Sequence, residues 1–427
     1  MKVLLFAGGS GKRFWPLGRE SIPKQFIRMF NGKSTFELTI ERLLPFVSPK
    51  DIYIFTHKNY EEFARKQGGH IPATNFYFEP FRKDVGPAVG YACIVMETLG
   101  FENEPVTIMW ADHIVKNPQA LVDALQTAEN MLTAGKAKGV LVGLKPEYAA
   151  TNLGWIKIKP DARTFAKTKN IQNSKKFKKS RSDQQFAQRL YTLQGFVYKP
   201  EEQEARRLFE TRAGLWNAGY FVSTPSYILS YYKHYAPKLY EQLQQLKDAM
   251  QTQDTARFKR IYDNLEKIHF DHVVFYNLDP AQVPVMEADL QWLDVGSLRA
   301  LQQYYLDDDT DDSDKSSGAK SRVRKQRGSR NRVKQQGGSK PSVGVGANIV
   351  PNIVQGKARA KARFFQSKNS MIINNASNQL VVGVGLDGII VINTPDVVLV
   401  IKANKSKDLS YVVEQLKQDP HLRKYVE

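Results

Sequence analysis

Over residues 1–145, short apolar runs rich in β-type residues alternate with helical runs, and this alternation restricts the fold more than any other feature. Strands are expected at 2–6, 51–56, 75–78, 105–111 and 139–144, and helices at 35–46, 60–66, 87–99 and 118–133. Strand-helix order of this kind builds an α/β fold. The sheet is expected to be Rossmann-like, mixed and mostly parallel, with helices on both faces and ligands at the carboxyl ends of the strands. Ser34 and Glu37 stand at capping-box spacing, which marks the start of the first helix.

Beyond residue 145 the pattern is mixed. Strand-like runs occupy 154–158 and 193–198, a helix follows Pro200, and helical stretches run from about 225 to 264. A β-rich tail, QLVVGVGLDGIIVINTPDVVLVIK, carries Asp387-Gly388 between apolar runs, which reads as a hairpin turn, and a last helix is expected at 409–418.

The chain has 427 residues and a net charge of +19, which raises the question of a polyanionic partner. The charge is concentrated in two stretches. Residues 157–189 hold eleven lysines and arginines against two aspartates, and residues 303–340 hold ten against six. Aromatic residues for base stacking are few in both, so nucleic acid is not the expected partner. The run from Asp307 is too polar to form a core and is expected to be disordered. One cysteine, Cys93, excludes an intramolecular disulfide and suits a reducing, cytoplasmic location. No apolar run reaches the roughly 18 residues that a membrane helix needs.

Directly after the first strand comes FAGGSGKRFWPLGRESIPKQF. It is neither a Walker A loop nor a dinucleotide fingerprint, because Arg13 follows Gly11-Lys12 and Phe14 stands where the third fingerprint glycine belongs. Its chemistry still suits phosphate. Gly8, Gly9 and Gly11 let backbone N–H groups approach an anion, while Arg13 and Lys24 supply a fork and a point charge. Pro16 and Pro23 would stiffen the loop.

GGSGKRFWPL…PKQF resembles the signature of the sugar-1-phosphate nucleotidylyltransferases, in the form typical of mannose-1-phosphate guanylyltransferases. The resemblance recurs in order through FEPFRKDVGPAV, MWADHIV, GLKPEYAATNLGWIKI, FVYKP, GLWNAGYFV and DLQWLDVGSLRAL, and ends in a β-rich C-terminal stretch. It covers about residues 1–300 and 365–417. The departures are Lys12 for Thr, Phe14 for Leu, Gly18 for Ser, Trp110 for Pro, Leu153 and Trp155 for two Tyr, and Tyr198 for Glu.

The resemblance implies a nucleotide-diphospho-sugar transferase type of catalytic domain over 1–302 with a basic insertion at about 160–188. A disordered linker over 303–342 and a small β domain over 343–427, left-handed β-helix-like with a final helix, would complete the chain. The implied reaction joins an NTP to a sugar 1-phosphate and releases pyrophosphate, with GTP and mannose 1-phosphate favoured. Arg13 and Lys24 would be catalytic. Gly8, Gly9, Gly11, Lys12, Glu79 and Gly86 would bind the nucleotide, and Asp112, Gly154, Lys199 and Asn217 the sugar phosphate. Asp112 and Asp294 would bind Mg2+, while His113 reads as a local hydrogen-bonding residue. Glu79 could accept the paired donors of guanine's Watson–Crick edge. Other sugar phosphates or NTPs, and a non-catalytic nucleotide-sugar or RNA binder on the same fold, are the alternatives. Retention of both metal carboxylates argues for the enzyme. The C-terminal domain of such proteins implies a homodimer.

Overall fold

The computed structural model describes residues 1–9, 11–19, 21–159, 163–165, 188–311, 353–356 and 361–427. Most of the basic insertion and all of the expected linker beyond residue 311 therefore lie outside the described residues. The chain forms two compact units: residues 1–8 with 38–292, and residues 9–37 with 293–427. This is not the expected division at residue 302. The first loop belongs with the C-terminal half, and a helix over Leu298–Asp311 takes up the beginning of the expected linker.

The first unit is built on β1 (Lys2–Phe6), β2 (Ile52–His57), β3 (Phe76–Glu79), β4 (Val106–Trp110), β5 (His113–Val115), β6 (Gly139–Leu144), β7 (Gly154–Ile158), β8 (Arg163–Phe165), β9 (Gln188–Tyr191), β10 (Leu193–Tyr198), β11 (Gly214–Ser223) and β12 (Val285–Ala288). Its helices are α1 (Thr35–Leu43), which starts in the other unit, α2 (Glu61–Gln67), α3 (Val85–Thr98), α4 (Pro118–Thr133), α5 (Glu202–Glu210), α6 (Pro225–Tyr235), α7 (Pro237–Gln251), α8 (Thr255–Asp263) and α9 (Phe270–Val273).

The main sheet runs β3-β2-β1-β4-β11-β6-β12-β9-β8, with β7 and β10 branching from β11. It is parallel from β3 to β4 and between β6 and β12, and antiparallel at the other pairs. All five residues of β1 are buried, as expected for a strand flanked by parallel neighbours and covered on both faces. The capping box at α1 forms: Glu37 N–H donates to Ser34 Oγ at 3.1 Å, and Ser34 N–H donates to Glu37 Oε2 at 2.9 Å.

The second unit contains β13 (Trp292–Asp294), which starts in the first unit, α10 (Leu298–Asp311), β14 (Ile353–Gly356), β15 (Lys361–Phe365), β16 (Met371–Asn374), β17 (Leu380–Val384), β18 (Ile389–Asn393), β19 (Val398–Lys402) and α11 (Leu409–Gln418). Strands β14, β16 and β18 stack in parallel, β15 pairs in parallel with β17, and β19 closes the stack antiparallel to β18. Asp387-Gly388 is therefore not a hairpin. The strands on either side of it pair with strands one coil away, and the dipeptide forms a corner with Gly388 at φ +66°. Inside the coil Asn393 Nδ2 donates to Asn374 Oδ1 at 3.0 Å, and the two stack 19 residues apart.

Candidate active site

In the first unit the parallel register brings the ends of β1, β3 and β4 to one edge of the sheet. Phe6 lies opposite Trp110, and beyond β1 Ala7 N–H donates to Phe55 O at 2.8 Å while Ala111 N–H donates to Phe6 O at 2.9 Å. Gly8, Glu79 and Asp112 follow or end these strands. The Cβ position of Gly8 meets nothing within 4 Å, so the backbone there is open to an approaching group.

Glu79 lies opposite His57 in the register, and its Oε2 accepts a hydrogen bond from Tyr262 Oη at 2.7 Å. Burial pushes its carboxyl up to about 7, against the opposing effect of that hydrogen bond. The expected base-reading carboxylate thus titrates near neutral pH.

Gly86 is placed differently from its expectation. Its N–H donates to Ile268 O at 3.1 Å, its carbonyl accepts from Tyr232 Oη at 2.6 Å, and an added Cβ would lie 2.3 Å from Ile268 O. Both backbone groups are engaged inside the protein, so Gly86 packs helix α3 and has no N–H to offer a nucleotide.

Asp112 follows β4 with its side chain 26% exposed and Oδ1 3.9 Å from His113 Nε2. His113 is buried. Its Nδ1 lies 3.0 Å from Tyr220 Oη, and its ring packs edge-on against Tyr220 and Trp292. It is the local hydrogen-bonding residue the sequence suggests. Arg42 Nη2 donates to His113 O at 3.4 Å beneath the same turn. Trp110, standing where the resembled family has Pro, donates through Nε1 to Gly219 O at 3.2 Å; a Cβ on Gly219 would clash with that indole.

A second group gathers across β10, β7 and β11, where Tyr198 and Asn217 both lie opposite Gly154. Lys199 follows at φ +47°, donates its N–H to Leu153 O at 3.2 Å, and holds Nζ 4.8 Å from the Tyr198 ring centre. Asn217 Oδ1 accepts from Gly219 N–H at 2.9 Å within the bulge of β11, which leaves the amide NH2 as its donor. Gly154, Lys199 and Asn217 are thus brought together. Around them lies an aromatic set that pattern reasoning missed. Tyr148 packs on Trp216 at 4.9 Å, and Trp216 lies 6.4 Å from both Trp155 and Trp292. The buried Trp216 and Trp292 indole N–H groups have no hydrogen-bond partner among the described residues. The tryptophans of the WNAG and QWLDVG segments were the available signal.

The second unit carries the loop. Gly9 has φ +119° and open space at its Cβ position, which suits close approach of an anion. Gly11 does not share that role. An added Cβ would lie 2.4 Å from Ile22 O, so this glycine lets the loop close on itself through Arg19 N–H to Ile22 O at 3.2 Å and Ile22 N–H to Arg19 O at 3.1 Å. Lys12 is ion-paired with Glu414 of α11 at 2.5 Å rather than held beside a bare phosphate nest. Lys24 lies in a 3-10 turn and is only 8% exposed. Arg13 and Asp294 meet at Gly296: its Cβ position is 3.3 Å from Arg13 Nη1 and 3.2 Å and 3.3 Å from the Asp294 carboxylate oxygens. A guanidinium and a half-buried carboxylate therefore crowd around the same buried glycine.

The model of the nucleotidyl transferase family matches residues 2–310, well over half of the chain. This chain belongs to the nucleotidyl transferase family. A mannose-phosphate isomerase/GMP-like β-helix domain matches residues 365–416, in the coiled β-stack. The chain is 26% identical over 420 residues to the mannose-1-phosphate guanylyltransferase of Escherichia coli, covering 97% of this chain and 74% of that protein. It is 24% identical over 424 residues to the alginate biosynthesis protein AlgA of Pseudomonas aeruginosa, covering 97% and 72%. A crystal structure described as mannose-1-phosphate geranyltransferase from Thermus thermophilus superposes with a TM-score of 0.71 at 25% identity, covering 97% of this chain and 99% of that one. Among the described residues no helix is long and apolar enough to cross a membrane.

Proposed function

We propose that this member of the nucleotidyl transferase family joins an NTP to a sugar 1-phosphate, with GTP and mannose 1-phosphate as the preferred pair. A phosphate oxygen of the sugar attacks the α-phosphorus, the bond to the bridging oxygen of the β-phosphate breaks, and pyrophosphate leaves with that electron pair. The nucleophile is already an anion at neutral pH, so the protein needs no general base; its work is alignment and charge neutralisation.

The observation that carries this reading is the juxtaposition of Arg13 and Asp294 at Gly296, in the unit whose loop leaves Gly9 open. Arg13 and Lys24 would hold the triphosphate, and Lys199 and Asn217 with Gly154 the sugar phosphate. Among the described residues no cluster of three His, Cys, Asp or Glu forms a protein-made metal cage. Two partly exposed carboxylates suit Mg2+, which takes one or two of them and fills its sphere with phosphate oxygens and water. Asp112 and Asp294 would hold it, and the ion would neutralise phosphate charge.

The preference for guanine rests on Glu79, whose carboxylate form accepts the N1–H and N2–H2 donors as a pair. Because that carboxyl titrates near 7, GTP affinity should rise as pH increases through 7 while UTP affinity does not. The sugar is the less determined half. Tyr198 is 64% exposed and uncharged, so it can stack on or hydrogen-bond a sugar but not act as a carboxylate. The exposed apolar Leu380, Val382 and Val384 of β17 would serve the proposed homodimer, which sedimentation would test. The deciding experiment measures pyrophosphate release with Mg2+ across a grid of NTPs and sugar 1-phosphates, with Asp294→Asn as control. Release fastest with GTP and mannose 1-phosphate supports the proposal; faster release with UTP sinks the guanine assignment, and no release with any pair sinks the reaction.

A further inference from the structure

Four side chains of the glycine loop are tied to the far end of the chain within the second unit. Tyr425 O accepts from Trp15 Nε1 at 2.8 Å and from Arg19 Nη1 at 2.9 Å. Arg19 Nη2 reaches both oxygens of Asp396 at 2.8 Å. Ser21 Oγ donates to Glu427 O at 2.7 Å, and Lys12 Nζ to Glu414 Oε1 at 2.5 Å. These ties bracket Arg13 on both sides in sequence, and Lys12–Phe14 forms a single 3-10 turn, so the backbone that aims the Arg13 guanidinium is held at its entry and its exit.

A loop with this many glycines loses much conformational freedom when it orders around an anion. Bonds that fix it beforehand remove that cost from ligand binding and raise affinity without touching the ligand. We propose that α11, the β18–β19 turn at Asp396 and residues 419–427 form a brace that pre-orders the phosphate loop, with Lys12, Trp15 and Arg19 as positioning residues that act through Arg13. Lys12 then has a reason to be lysine: it recruits Glu414 to the loop. The inference rests on the reading of this loop as the triphosphate site.

The test uses the full chain and two readouts. Hydrogen exchange at the amides of residues 12–19, without nucleotide, should quicken in Arg19→Gln and Asp396→Asn by about tenfold or more, as expected for loss of charge-assisted hydrogen bonds. In Lys12→Met and Glu414→Gln, whose pair is half exposed, it should quicken by at most about fivefold. In turnover the same variants should raise KM for the NTP by comparable factors and leave kcat and KM for the sugar phosphate within about twofold. Each double variant should be no worse than its single variants. The proposal is overturned if Lys12→Met weakens NTP binding while Glu414→Gln does not, since Lys12 would then act on the nucleotide itself. It is equally overturned if exchange in the loop is unchanged in Arg19→Gln and Asp396→Asn. Failure of the wild-type chain to release pyrophosphate would instead sink the functional reading, and the exchange measurement would still report on the brace.

Discussion

The strand-end residues of the first unit and the loop residues of the second are held in place by different means. Gly8, Glu79 and Asp112 are positioned by the backbone register of parallel strands, and their neighbours are a fully packed core of β1, β2 and β4. Arg13 is positioned by a closed loop whose side chains are pinned by residues about 400 positions away. Register is a collective property and fails all at once; a pinned loop can loosen one tie at a time. The first kind of placement should therefore break through stability, and the second through ligand affinity.

The sharpest break is expected from Trp155→Ala. This side chain is fully buried and its Nε1 donates to Ala150 O at 2.8 Å, so truncation should cost about 3–5 kcal/mol of stability, read as a lowered denaturant midpoint. Arg13→Ala should leave the melting temperature in place and cut pyrophosphate release by about 10²–10³. Equal loss of stability in that variant would erase the distinction between the two regions.

Glu79→Gln sharpens the comparison through pH. The folded-state value of about 7 lies above the ordinary carboxyl value, so the folded protein binds this proton more tightly than the unfolded chain. Stability is then lost as pH rises from about 4.5 through 7. Glutamine keeps an acceptor for Tyr262 and carries no charge, so the variant should gain stability above pH 7, by at most about 3 kcal/mol, and none at pH 4. Paired melts at the two pH values check it. The smallest effect belongs to Lys12→Thr, which restores the family's residue: a rise of at most about fivefold in KM for the NTP, with no change in melting.

Much of the architecture was legible because it follows from local patterns. The strands at 2–6, 139–144, 154–158 and 193–198 and the helices at 118–133 and 409–418 occupy the residues their periodicity indicates. The parallel order of the first strands follows from their alternation with helices. What was not legible depends on partners far along the chain. Gly11 and Gly86 read as nucleotide-binding glycines, yet each owes its lack of a side chain to a carbonyl it packs on, Ile22 O and Ile268 O. Asp387-Gly388 has the composition of a hairpin turn, but the apolar runs beside it pair with strands a full coil away, a repeat carried by only a few stacked residues such as Asn374 and Asn393. Lys12 looked like an added cation for phosphate, and its partner Glu414 lies 402 residues on.

The membership of residues 9–37 in the same compact unit as residues 293–427 has a consequence during synthesis. The loop leaves the ribosome about 400 residues before Asp396, Glu414 and Tyr425 are made. At a translation rate of about 5–20 residues per second, the loop waits on the order of twenty seconds or more before its ties exist. Nascent chains halted before Asp396 should therefore hold the β1–β4 core while the glycine loop is still open to protease.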